Sequence, residues 1–190
     1  LPWGVRWTSL LQQKMGIENF HIIEEGLCGR TTVFEDPLRK GRRGTELLPV
    51  LLETHAPLDA IIIMLGTNDC KTIFGASAEV IGKGILCLLD QIREYAPKAK
   101  VLLISPIYLG EKVWQEGYDT EYSKASIEVS KNLEIVYEKI ASERNIGFMK
   151  ASSYVSCCEE DQQHLDETGH AKFAEAVYEK LKFGCFFKKS

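Results

Sequence analysis

Two polar residues near the end of the chain have the types and the spacing of an acid–base pair. Asp161 lies three residues before His164 in the segment Asp-Gln-Gln-His. On an irregular turn, such a carboxylate reaches the Nδ1–H of the imidazole, fixes its tautomer and stabilises the imidazolium that forms when Nε2 accepts a proton. A surface histidine beside a helix-capping aspartate is the structural alternative. The spacing favours a general base at His164, and His170 is interpreted as structural.

Two glycine-containing segments carry candidate donors to an oxyanion. Gly-Thr-Asn-Asp at residues 66–69 directly follows an apolar run, and Glu-Gly-Leu-Cys-Gly-Arg-Thr-Thr occupies residues 25–32. Considered alone, the first segment is better explained as a tight turn, because Gly, Asn and Asp are preferred in turns. In the catalytic interpretation, the Asn68 amide and the backbone N–H of Gly29 donate to one developing negative charge.

The elements that must position these segments alternate between short apolar runs and longer amphipathic stretches. This alternation is typical of a parallel sheet covered by helices on both faces, whose sites form at the carboxyl ends of the strands. The pattern therefore predicts one α/β domain spanning residues 1–190. Predicted strands are residues 20–24, 60–65, 100–105 and 146–149; predicted helices are residues 7–14, 46–54 (capped by Thr45), 77–95, 121–144 and 168–183. The apolar stretch at residues 183–187 is interpreted as packing or a dimer contact.

Composition excludes several other classes of protein. Hydrophobic residues make up 45% and charged residues 26%, and no apolar run approaches the length of a membrane span. A net charge of −4 argues against nucleic acid as a partner, and the basic cluster at residues 39–43 is interpreted as a solvated loop rather than an anion-binding patch. The six cysteines show no CxxC spacing, which favours a reducing compartment and predicts a cytoplasmic protein without a metal site.

Taken together, residues 26–32, 66–69 and 161–170 resemble three sequence blocks of the SGNH (GDSL-like) hydrolase superfamily in order and spacing. The similarity extends through essentially the whole chain and is strongest to the arylesterase and acyltransferase branch. The resemblance implies a flavodoxin-like three-layer α/β/α sandwich with a parallel sheet of about five strands. It implies no metal and no organic cofactor.

The same resemblance assigns roles to individual residues. His164 would be the general base, Asp161 its orienting acid, and Gly29 and Asn68 two donors of the oxyanion hole. The nucleophile of the superfamily is a serine in a Gly-Asp-Ser block, and that tripeptide occurs nowhere in the 190 residues. We expect it, with the first strand of the sheet, immediately ahead of Leu1. Ser9 is not a substitute, because it is predicted to lie on a helix away from the strand ends.

The sequence therefore predicts a serine esterase that cleaves carboxylic esters of small molecules through an acyl-serine intermediate, with acyl transfer to an alcohol as a further reaction. The alternative is a catalytically inactive, flavodoxin-like binding module for small esters or glycans. Nucleotide or flavin binding is disfavoured, because no Gly-rich phosphate loop precedes a helix. Tyr108, Trp114 and Tyr118 are candidates for a pocket rim or a subunit contact, so homo-oligomerisation stays open.

Overall fold

The protein is built around a parallel sheet, seen in a computed structural model that describes residues 1–184 and 186. The three strands are β1 (Ala60–Ile63), β2 (Lys100–Ser105) and β3 (Gly147–Lys150), in the order β1-β2-β3. Ala60 pairs with Lys100, and Leu102 pairs with Gly147. All three strands run in one direction, so their carboxyl ends meet at the same edge of the sheet.

Five α-helices of the described residues cover the two faces of the sheet. They are α1 (Trp7–Met15), α2 (Gly44–Thr54), α3 (Ala78–Tyr95), α4 (Lys124–Arg144) and α5 (Glu167–Phe183). Short 3-10 helices at Asn68–Cys70, Thr72–Phe74 and Ala151–Ser153 follow the ends of β1 and β3.

The central strand β2 shows why the fold has three layers. Val101 and Leu103 belong to a core shared with α2, α3 and α4, whereas Leu102 and Ile104 belong to a second core shared with α1 and α5. Successive side chains of a strand point to opposite faces, so a continuous apolar run must be covered on both sides. The predicted three-layer α/β/α sandwich is confirmed.

Side-chain caps fix where three of the helices begin. The Ser77 hydroxyl accepts a hydrogen bond from the amide of Val80 at the start of α3, and Asp166 accepts one from Gly169 at the start of α5. Ser123 and Ser126 form a reciprocal capping box at the start of α4. Such caps satisfy amides that have no partner within the helix. By contrast, α2 begins one residue before Thr45 and has no side-chain cap.

The sheet differs from the prediction at its first strand. Residues 20–24 form no strand, and the described residues contain three strands rather than about five. The side chain of Gln12 replaces a ladder partner here, because its amide donates to the carbonyl of Phe20 and accepts from the amide of Ile22. Two backbone groups of this segment are therefore bonded to a side chain, and no described strand lies beside it to form a ladder.

Two further expectations concern hydrophobic segments. No helix in the described part of the chain has the length and apolar character that crossing a membrane requires. Within the C-terminal apolar stretch, Phe186 is buried in the core of α1 and α5, and Phe183 is exposed. Cys185 and Phe187 lie outside the described residues.

Candidate active site

The candidate site residues lie on loops at the carboxyl edge of the sheet. Asn68 starts the 3-10 helix after β1, and the loop at residues 151–166 follows β3. Between them, residues 106–123 form the loop after β2. Because β2 is the central strand, its loop lies between the other two and can contact both.

Asp161 and His164 form the predicted pair. The Oδ2 atom of Asp161 lies 2.7 Å from Nδ1 of His164, while its Oδ1 atom accepts hydrogen bonds from the amides of Gln163 (2.9 Å) and His164 (2.8 Å). The His164 side chain is 63% exposed, and no atom in the described part of the chain hydrogen-bonds to its Nε2. Nδ1 is therefore held by the carboxylate, and Nε2 faces outward, where a general base must present its lone pair.

The Asp161 carboxyl is held in its ionised form. Partial burial on its own favours the neutral acid, but the two amide donors and the His164 imidazole together lower its pKa below the ordinary value. Hydrogen bonds to the charged form and a neighbouring cationic ring both favour ionisation. An ionised Asp161 is the form that stabilises a protonated His164.

Gln162 holds the loop of the pair in place, a role that the sequence does not signal. It lies at a positive φ of 63° and is 4% exposed. Its carbonyl accepts from the amide of Gly110 (2.7 Å), and its side-chain oxygen accepts from the amide of Lys112 (3.2 Å). The amide of Cys158 donates to the carbonyl of His164 (2.7 Å), which closes the loop.

Asn68 and the Gly29 segment form a second group. The Nδ2 atom of Asn68 donates to the carbonyl of Arg30 (3.1 Å), and its second amide hydrogen has no partner among residues 1–184 and 186. Gly29 is buried and has a φ of 82°, a conformation that glycine adopts without strain. One N–H of Asn68 therefore anchors the side chain, and the other remains available to a ligand.

Asp69 connects the Asn68 turn to the Gly29 segment, a role that the sequence alone does not indicate. It is fully buried, and its carboxyl accepts from the amide (2.9 Å) and the hydroxyl (2.5 Å) of Thr32. Burial raises its pKa to about 6, although both Thr32 hydrogen bonds favour the ionised form. A buried carboxyl with two donors on another loop fixes the distance between the loops.

The loop after β2 links the two groups. Asp119 accepts a hydrogen bond from the Gln163 side chain (3.3 Å), and two residues later the carbonyl of Glu121 accepts from the amide of Thr72 (2.8 Å). Within the described residues, no hydrogen bond joins Asp161 or His164 directly to Asn68. The two groups therefore share one edge of the sheet and are connected through this loop.

Two of the aromatic residues in that loop have internal partners. The Tyr108 hydroxyl donates to Glu134 of α4 (2.7 Å), and the Trp114 indole N–H donates to the carbonyl of Glu111 (3.1 Å). The Lys124 ammonium lies 4.7 Å from the Trp114 ring centroid. Their role as a pocket rim or subunit contact stays a prediction.

Ser9 and His170 lie apart from the candidate chemistry. The Ser9 hydroxyl is buried, accepts from the amide of Gly4 (2.9 Å) and donates to the carbonyl of Arg6 (2.8 Å). The Nδ1 atom of His170 accepts from the amide of Trp7 (3.1 Å). Burial lowers the pKa of His170. His170 thus anchors α1 to α5.

Neither a metal centre nor a disulfide stands out among the residues that the structure describes. No group of three or more His, Cys, Asp or Glu side chains there has the arrangement to hold a metal ion. Cys28, Cys70, Cys87, Cys157 and Cys158 are free thiols.

Comparison with known proteins identifies the family of the chain. Residues 2–174 match the model of the GDSL-like lipase/acylhydrolase family. The structure of the aryl esterase of M. smegmatis is 33% identical, with a TM-score of 0.85 over 96% of this chain and 87% of that one. That of Est24, a carbohydrate acetylesterase from Sinorhizobium meliloti, is 32% identical, with a TM-score of 0.88 over 96% of this chain and 87% of that one. The search of curated proteins gave no match.

The family match covers most of the chain, and two esterases share its sandwich fold. The polar groups at the carboxyl edge of the sheet lie where an α/β enzyme of this kind has its site. The chain belongs to the GDSL-like lipase/acylhydrolase family and is a carboxylic ester hydrolase.

Proposed function

We propose that the protein cleaves carboxylic esters through an acyl-serine intermediate, with His164 as the general base. The observation that carries the proposal is the 2.7 Å contact between Asp161 and Nδ1 of His164, which leaves Nε2 exposed. A base must lie within reach of the proton it removes, and its other nitrogen must be held in the donor state. The Asp161 contact meets the second condition.

In the first half of the reaction, Nε2 of His164 accepts the proton of the serine hydroxyl while the serine oxygen attacks the ester carbonyl carbon. The negative charge that develops on the carbonyl oxygen is held by the free N–H of Asn68 and the backbone N–H of Gly29. The imidazolium then gives its proton to the alcohol oxygen as the carbon–oxygen bond breaks. In the second half, water repeats the sequence and releases the acid; an alcohol in its place gives acyl transfer.

The serine is expected ahead of Leu1. The backbone amide of Trp7 donates a hydrogen bond to Nδ1 of His170 (3.1 Å) in the first turn of α5. His164 lies six residues before His170. The start of the described chain therefore runs beside the helix that follows the acid–base loop, which supports a serine supplied from that side.

The substrates that we propose are short acyl esters of phenols or of sugars. Two relatives support this class, because one is an aryl esterase and the other is a carbohydrate acetylesterase. Asn68 and Gly29 bind the carbonyl oxygen that all such esters share. The identity of the alcohol is then decided by residues around the loops rather than by the acid–base pair.

Steady-state hydrolysis of p-nitrophenyl acetate tests the proposal. His164→Ala is expected to lower kcat by about 10³-fold, within the range of a general acid–base contribution. His21→Ala is the matched control, because this histidine is exposed and makes no hydrogen bond within the described chain. An unchanged rate in His164→Ala would reject its role as the base. No turnover by the wild type would favour the binding module.

A further inference from the structure

We propose that Arg30, Arg39 and Arg42 form a binding site for an anionic group of the ester substrate, next to Gly29. This inference rests on the proposed function, because it adds a substrate feature to the same site. A carboxylate, phosphate or sulfate group near the scissile carbonyl has the chemistry that guanidinium groups recognise. The basic cluster at residues 39–43 then takes part in binding and is not only a solvated loop.

Two of the guanidinium groups lie against Gly29. A Cβ atom at this position would be 2.9 Å from Nη1 of Arg39 and 3.4 Å from Nε of Arg42. Arg39 also approaches the Cys28 thiol (3.5 Å), and Arg42 donates to the Cys28 carbonyl (2.9 Å). Both cations therefore flank the residue whose amide is proposed to bind the ester oxygen.

Neither Arg39 nor Arg42 is paired with a carboxylate of the described residues. On adjoining segments, Arg43 pairs with Glu35 at 3.6 Å and Arg6 pairs with Glu24 at 2.8 Å. Arg39 and Arg42 form no ion pair in the described part of the chain, and Arg42 instead bonds to backbone carbonyls. Their charge therefore remains available to a ligand.

Arg30 adds a third charge with an unsatisfied donor. Its Nε atom is buried and has no hydrogen-bond partner among residues 1–184 and 186. Burial lowers the pKa of Arg30, repulsion from Arg42 lowers it further, and the nearby Glu25 offsets part of this. Glu25 itself bonds to His55 at 2.8 Å. A bound anion would relieve both the repulsion and the unpaired donor.

The acids that face Arg39 are already engaged. Asp36 and Glu121 act on its charge, but both pair with the buried ammonium of Lys71, at 3.4 Å and 2.8 Å. The Oδ1 atom of Asp36 also accepts from the amides of Leu38 (2.9 Å) and Arg39 (3.2 Å). The buried ion pair thus fixes the backbone that presents Arg39, so binding an anion requires little ordering of the loop.

Three chromogenic esters test the site and locate the anion. They are p-nitrophenyl acetate, mono-p-nitrophenyl succinate with a carboxylate on the acyl side, and 4-acetoxy-3-nitrobenzoate with a carboxylate on the alcohol side. In the Arg39→Gln/Arg42→Gln variant, kcat/KM for at least one anionic ester should fall about tenfold more than for p-nitrophenyl acetate. The anionic ester that is affected identifies the side of the scissile bond that the arginines contact.

Arg43→Gln is the matched control, because it removes a charge from the same loop but from an arginine that already has Glu35 as a partner. It should leave the ratio between anionic and neutral esters within about twofold. A second test uses the wild type alone and so does not depend on the folding of a variant. Raising NaCl from about 0.05 M to about 0.5 M should lower the ratio of kcat/KM for the anionic ester to kcat/KM for p-nitrophenyl acetate.

Equal losses on all three esters, or a wild-type preference that is insensitive to salt, would overturn the anion site while leaving the esterase proposal intact. Absence of hydrolysis of every ester by the wild type would instead overturn the esterase proposal, and the substrate site with it.

Discussion

Replacing Asp161 by asparagine should reverse the tautomer of His164 without removing its support. The two carboxylate oxygens have different partners: Oδ1 accepts from the amides of Gln163 and His164, and Oδ2 faces Nδ1 of His164. The amide oxygen of the asparagine must take the place of Oδ1, because an NH₂ group there would face two donors. Its NH₂ group then donates to Nδ1, which moves the ring proton to Nε2.

The size of the effect follows from this geometry. A proton on Nε2 blocks the lone pair that must accept the serine proton, so catalysis falls to what the oxyanion donors supply. In serine proteases, the corresponding substitution lowers kcat by about 10⁴-fold. We expect a loss of about 10³- to 10⁴-fold in kcat for Asp161→Asn, or about 4 to 5.5 kcal/mol. KM should change little, because Asp161 contacts no substrate.

The assay is p-nitrophenyl acetate hydrolysis with thermal melting of each variant. Asp166→Asn is the control: this aspartate lies five residues further on and caps α5. Asparagine caps helices about as well as aspartate, so activity and melting temperature should both be retained. If Asp161→Asn keeps kcat within tenfold of the wild type, Asp161 does not set the tautomer and the reasoning is refuted.

Two further predictions concern the Asn68 turn. Asn68→Ala should lower kcat by about 10²- to 10³-fold on p-nitrophenyl acetate, because one oxyanion donor is lost; a change of less than threefold would exclude that role. Asp69 has a pKa of about 6 in the folded protein, against an ordinary value of 3.8 for an aspartate in water. The folded state therefore binds the proton of the Asp69 carboxyl more tightly than the unfolded state does. This proton binding contributes its whole stabilisation, about 3 kcal/mol, below pH 4, and the contribution is lost as the pH rises to about 6. The difference in unfolding free energy between wild type and Asp69→Asn, from urea titrations at pH 4 to 7, should follow this decline; a difference independent of pH would contradict it.

The features that sequence predicted well are those whose partners are close along the chain. Asp161 and His164 lie on one turn. The unbroken apolar run of β2 indicates a strand that is buried on both faces. The order of helices around the sheet followed from the alternation of these runs. The structure also joins Asn68 to the Gly29 segment, through the Arg30 carbonyl.

What sequence did not reveal depends on partners distant along the chain. Residues 20–24 have the composition of a strand, but no described strand lies beside them, and the Gln12 side chain bonds to the Phe20 carbonyl and the Ile22 amide. Lys71 has the sequence context of a surface lysine, yet it is buried between acids 35 residues before it and 50 residues after it. Asp69 has the sequence context of a turn residue and in fact joins two loops. Such roles arise from tertiary contacts that local pattern does not encode.

Activation of a serine by His164 is the central claim, and its most direct test is covalent labelling with a fluorophosphonate. Intact mass of the labelled protein, followed by peptide mapping, should show one adduct on a serine in a Gly-Asp-Ser sequence ahead of Leu1. The His164→Ala variant should label far more slowly. Hydrolysis of p-nitrophenyl acetate by a protein that forms no adduct, or labelling that is equally fast without His164, would contradict the mechanism.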